Sequence, residues 1–201
     1  MNRKIPGILA GFLVCLWPFI YLFPYAFQIG GRYLKIGNDF PLFYNYKVYL
    51  LDLLSHFHIP LWSPSEAGGY PFYSSPFPQT FYPLNIPLAF FYRTAGGYTD
   101  LDHQRFTILG ISIFALGCFL WLRSLNIKLT SALFSSLIIS ASYKITELIR
   151  FPHAVHTMCW YPWILYAITK LLCSTNKKQK VVYGGLLFFS GFCMITGGYV
   201  Y

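Results

Sequence analysis

Five runs of apolar residues, separated by polar connections, set the frame of this 201-residue chain. They cover residues 8–29, 106–122, 129–143, 154–173 and 181–195. Runs of this kind predict membrane-spanning helices, because about 20 residues of helix cross the hydrocarbon layer. The first follows Arg3 and Lys4, contains bulky aromatics, and meets no small-x-small cleavage site before Gly30, so it reads as a retained anchor and not a cleaved signal. Pro18 and Pro24 are expected to bend it, which membrane helices tolerate. The third run is short and rich in serine, whose hydroxyls can bond back to their own helix or allow close packing. Trp160, Tyr161 and Trp163, near the start of the fourth, predict an aromatic belt at the interface.

Residues 30–105, between the first two runs, are too long for a bare connection and too apolar for disorder. Within them Phe43, Tyr46, Leu50, Leu54 and Phe57 recur at three- and four-residue steps, with Asn45, Tyr49, Asp52 and His56 on another face. The spacing predicts an amphipathic helix over 40–57 lying along the membrane surface, with Asp39 as its N-cap and Pro41 in its opening turn. Between Ile59 and Phe72, prolines and the pair Gly68-Gly69 impose turns among aromatics. No GxGxxG or Walker pattern surrounds that pair, so it is not a phosphate loop. Prolines 76, 78, 83 and 87 predict an extended re-entrant or interfacial stretch over 76–91. The expected fold is all-α: one transmembrane domain of about five spans over 1–201, capped by a long structured external loop.

Charge fixes the expected orientation. With the N-terminus cytoplasmic, one side holds Arg3, Lys4, Arg123, Lys128, Lys170, Lys177, Lys178 and Lys180 and no acid. All six acidic residues and all five histidines fall on the other side, mixed with the remaining seven of the fifteen Lys and Arg. That sorting is the signature of a multi-pass membrane protein with its long first loop external. The net charge of +9 does not point to nucleic acid, since the basic residues form no patch beside polar surface. Lys177, Lys178 and Lys180 read better as an anchor near anionic lipid. The five cysteines lie in or at the ends of apolar runs without CxxC spacing, as buried small hydrophobes do.

Several segments together carry a family resemblance. Gly37-Asn38-Asp39, Pro60-Leu61-Trp62-Ser63-Pro64, Gly68-Gly69-Tyr70-Pro71-Phe72 and Phe81-Tyr82-Pro83-Leu84-Asn85 resemble the first external loop of bacterial YfhO-like membrane proteins. These belong to the wider set of membrane-embedded, GT-C-type glycosyltransferases that use lipid-linked sugars. Pro152-His153-Ala154 through Trp160-Tyr161-Pro162-Trp163 resembles a later helix start in that family. The resemblance implies a multi-pass protein of the bacterial cytoplasmic membrane, taking a sugar from a polyprenyl-phosphate donor at the external face. It also implies a catalytic acid just after the first span, which here is Asp39, as general base or as holder of a divalent cation that orients the donor phosphate. Family members are several times longer, and this chain ends at Tyr201 directly after an apolar run, so it reads as an N-terminal fragment.

The residues make their own case for chemistry at that position. Transfer from a lipid phosphate needs a carboxylate at the membrane surface near balancing cations, and Asp39 has Arg32 and Lys35 just upstream. Around the connection between the third and fourth runs, Arg150 is placed to neutralise phosphate, while Glu147 and His153 are placed to meet phosphate or metal. His153 and His156, three residues apart, can share a helix face, and two histidines with a carboxylate are a zinc-ligand set. Glu66 is a candidate lining residue of the loop. Asp100 or Asp102 is the expected cap of the second span. A transporter or flippase subunit for a lipid-linked substrate, and a non-catalytic membrane scaffold, are the competing readings. Against transport, no charged residue sits at the middle of a span.

Overall fold

The computed structural model describes residues 4–37, 39–64 and 68–198, with side chains from Gly7 onward. Its α-helices are α1 (Lys4–Tyr21), α2 (Phe23–Ala26), α3 (Phe40–Ser55), α4 (Asn85–Ala95), α5 (Asp100–Ser124), α6 (Leu129–Ser140), α7 (Tyr143–Glu147), α8 (Pro152–Met158), α9 (Tyr161–Cys173) and α10 (Lys177–Thr196). Single 3-10 turns stand at Phe72–Ser74 and Leu148–Arg150. Among the described residues β-pairing is confined to two isolated bridges, Ile29 with Arg32 and Ser63 with Tyr70. The protein is all-helical.

α5 is the central post, with α1, α6, α8 and α9 packed around it. Two glycines seven residues apart let the α8–α9 side come close. A Cβ on Gly110 would stand 2.7 Å from Val155 Cγ1, and one on Gly117 would stand 2.7 Å from Trp163 Cδ1. α10 lies outside, against α9 and α8, burying Ser190 and Cys193 while Val181, Val182 and Phe188 face outward. Large apolar side chains also face outward on α1 (Ile8, Phe12) and α6 (Phe134, Ile138). Such continuous apolar surface suits lipid and not water. α5 and α10 are long and apolar enough to cross a membrane. The pair made by α6 and residues 143–150, bent by 43°, is a third if counted as one span. This architecture is that of a membrane-associated helical protein.

Two expected spans are interrupted, each at an identifiable place. The first run is not one helix to residue 29: α1 ends at Tyr21, Pro24 opens α2, and Phe27 is already extended. The fourth is divided at Cys159 and Trp160, between α8 and α9. Pro162 opens α9; it has no N–H to give to the carbonyl four residues back, and its ring crowds that carbonyl. In α6 the serines behave as expected, Ser136 Oγ donating to the Ala132 carbonyl and Ser140 Oγ to that of Leu137.

The loop also departs from expectation. The stretch over 76–91 is not extended throughout but ends in α4. Pro87 is the third residue of that helix, where an N–H has no intrahelical partner to lose. α3 forms where expected, and its apolar face packs on the rest of the protein. It buries Phe40, Phe43, Leu50 and Leu51, packs on α4 and α5, and turns Asn45, Asp52 and His56 outward. Trp160 and Trp163 are not belt residues: Trp160 donates to the Tyr82 hydroxyl and Trp163 to the Ile113 carbonyl, so both indoles are satisfied inside the bundle. α5 is capped by Thr99, with Asp102 reciprocating, and not by either aspartate acting as N-cap. Cys118, Cys159 and Cys193 are buried as expected, but Cys173 is exposed.

Candidate functional site

Asp39 begins α3 without capping it. Its side chain makes no cap hydrogen bond, and its backbone is near-helical (φ −79, ψ −2) instead of extended. The reason is local: a cap oxygen bonds the N–H of the second or third helical residue, the second is Pro41, and the Leu42 N–H is taken by the Asp39 carbonyl at 3.0 Å. The exposed side chain stands at a cleft of about 670 Å³ walled by Phe43, Phe77, Phe151, His153 and Tyr161, with Met158 and Met194 among its other lining residues. The lining is mostly apolar, and Asp39 is its only acid among the described residues.

A second, more polar cleft of about 460 Å³ takes its lining from the same stretches of chain, residues 35–39 and 147–151. Lys35, Gly37, Tyr143, Glu147 and Arg150 line it, and Leu148, between Glu147 and Ile149, belongs to the first cleft's wall. Arg150 pairs with Glu147, and Lys35 reaches Asp100 at 3.6 Å. The sequence-derived candidates are thus split: Asp39 and His153 on one cleft, Lys35, Glu147 and Arg150 on the other. Arg32 lines neither; it closes the Ile29–Arg32 turn and is exposed. Glu66 and Asn38 lie outside the described residues.

Behind the first cleft sits a feature that sequence reading passed over. Lys47 is 1% exposed. Its ammonium donates to the Pro78 carbonyl (2.9 Å), Gln79 Oε1 (2.7 Å) and Asn85 Oδ1 (2.9 Å), and lies 5.6 Å from the centre of the Phe106 ring. Among the described residues no carboxylate pairs with it. Burial therefore lowers its pKa to about 7. A signal was present, because Lys47 falls four residues after Phe43 and three before Leu50, on the apolar face of α3.

Around this cation the loop is locked to the bundle. Gln79 Nε2 donates to the Gly197 carbonyl at 2.5 Å, just past α10. His156 Nε2 faces the Phe106 carbonyl at 3.1 Å and so carries the proton. Its Nδ1 then accepts from the Tyr82 hydroxyl at 3.1 Å. These bonds explain why His156 is a structural group and not half of a zinc site. His153 sits edge-on to Phe43 and Phe77, with centroids 4.9 and 5.2 Å away. Burial first, then the charge of Lys47, pulls its pKa down to about 4, so at neutral pH it offers phosphate a hydrogen bond but no charge. Among the described residues no group of three or more His, Cys, Asp or Glu is placed to hold a metal ion. Among the described residues Asp39 has no second carboxylate beside it.

No family model, curated protein or solved structure matches this chain.

Proposed function

We propose that this chain is a GT-C-like glycosyltransferase, or part of one, that moves a sugar from a polyprenyl-phosphate carrier to an acceptor hydroxyl. The observation that carries the reading is the uncapped Asp39 carboxylate at the rim of an aromatic, largely apolar cleft, next to a polar cleft bearing Lys35 and Arg150. In this reading the protein has five spans in a bacterial cytoplasmic membrane, two of them broken by turns, with its N-terminus cytoplasmic and the 30–105 loop external. The sorting of acids and bases along the sequence supports that orientation.

The division of labour follows from the two linings. Asp39 takes the proton of the acceptor hydroxyl as its oxygen bonds to the sugar's anomeric carbon, and the carrier phosphate leaves with the electrons of the broken C–O bond. Lys35 and Arg150 balance the charge gathering on that phosphate, and His153, on the Asp39 cleft, gives the donor a hydrogen bond. The aromatic wall excludes water, which would otherwise take the sugar. No step is routed through a metal ion.

The test is glycosyl transfer in membranes, comparing the chain with Asp39→Asn at matched protein level. Loss of a general base predicts a fall of about 10²–10⁴-fold in product formed from a polyprenyl-phosphate sugar. Equal product from both would leave Asp39 as no more than the residue that opens α3. Uptake of a lipid-linked substrate without transfer would favour the transport reading.

A further inference from the structure

We infer that α4, together with the ridge at Phe57–Ile59, is a lipid-seating surface that rests in the membrane leaflet on the loop's side of the bundle. This goes beyond the transfer chemistry and does not depend on it. α3, whose pattern predicts a membrane-lying helix, spends its apolar face inside the protein. The unpartnered apolar face belongs instead to α4, where Ile86, Phe90 and Arg93 fall at four- and three-residue steps on one side, while Asn85 and Ala89 are buried on another. Ile86 is 72% exposed, Phe90 70% and Phe57 88%. Together with Leu54 and Ile59 they form a groove of about 370 Å³ with Arg93 at its rim. Phe57 is held there with φ 61, a backbone conformation that a bulky residue rarely adopts.

Continuity with the spanning helices identifies the occupant. The far edge of α4 shares a surface depression with them: its Leu88 and Phe91 line it beside Phe19 of α1 and Leu109 of α5, with the Arg105–Asp102 ion pair also present. Leu109 lies on a helix long enough to cross the membrane and is itself 41% exposed. The apolar side of α4 therefore continues the lipid-facing side of α5 instead of standing apart as a protein-docking patch. A phospholipid acyl chain fits the groove, and Arg93, exposed at the helix's last turn, meets the headgroup phosphate as interfacial arginines do. Seated this way, α4 fixes the depth of the loop, and with it the height of the clefts above the hydrocarbon.

Site-directed spin labelling of the full chain in phosphatidylcholine vesicles tests this. Nitroxides are placed at Ile86→Cys, Phe90→Cys and Phe57→Cys, with Ser74→Cys as an exposed polar control, on a background of Cys15→Ser and Cys173→Ser. Every labelled site is exposed in the isolated protein, so the label disturbs no packing. Collision with oxygen, which concentrates in lipid, is compared with collision with a water-soluble nickel chelate. The expected result is an oxygen-to-nickel ratio several-fold higher at 57, 86 and 90 than at 74. Ratios equal to that at 74 would mean that the surface faces water, and shielding from both reagents would mean that protein covers it. Either would overturn the inference.

Discussion

Lys47 is the residue whose removal should be felt most. Three acceptors converge on its ammonium, and replacing it by methionine would leave the Pro78, Gln79 and Asn85 oxygens facing apolar surface. A hydrophobic replacement relieves the cost of burying a cation, which on its own would stabilise. Each orphaned acceptor costs about 1–3 kcal/mol, and with three of them the loss wins, so Lys47→Met should lower the melting temperature in detergent micelles. The pH dependence gives this a second handle. Lys47 has a folded pKa of about 7 against an ordinary 10.5, so above pH 7 the unfolded chain binds the proton that the folded one has released. Stability from this group therefore rises with pH across that window. The melting temperature of the wild type should gain on that of Lys47→Met between pH 7 and pH 9; a constant or shrinking gap would show that the ammonium is not desolvated. The sequence made the helix around Lys47 legible, since its apolar spacing is regular. The cage was not, because its acceptors come from Pro78, Gln79 and Asn85, more than thirty residues further on, and no local pattern joins them.

Among the elements, the contact of α5 with α9 depends on a missing side chain. A Cβ on Gly117 would stand 2.7 Å from Trp163 Cδ1 and 3.0 Å from Pro162 Cβ. The indole cannot swing away without losing its 2.8 Å bond to the Ile113 carbonyl. Gly117→Ala should therefore destabilise by about 1–3 kcal/mol through overpacking. Gly184 on α10 has open space where its Cβ would go, and Gly184→Ala should be neutral or stabilising by up to about 1 kcal/mol. Equal shifts in thermal unfolding for the two would contradict the close packing described for α5. Element existence was readable from apolar periodicity at α3 and from continuous apolar runs at α5, α6 and α10. Breaks were harder to read: Pro18 is carried inside α1, Pro24 and Pro162 open new helices, and Pro87 sits harmlessly in a first turn. A proline's position relative to a helix start decides its effect, and that start is set by packing that the sequence does not display.

For the molecule as a whole, the sequence grouped the candidate residues in one region but could not divide them between two clefts. Asp39 and His153 share the apolar cleft, Lys35, Glu147 and Arg150 share the polar one, and Arg32 stands apart. The separation follows from the turn at residues 147–151, which puts neighbouring side chains on opposite walls. The proposed transfer requires a lipid-linked phosphate to occupy these two clefts, with its phosphate on the Lys35 and Arg150 side. Photo-crosslinking with a diazirine-bearing polyprenyl phosphate, followed by peptide mapping, tests it most directly. The expected result is labelling within residues 143–161, abolished by excess unlabelled polyprenyl phosphate and reduced at least several-fold in the double variant Lys35→Ala/Arg150→Ala. Labelling of equal strength in that variant, or labelling confined to the outward faces of α1 and α10, would contradict it.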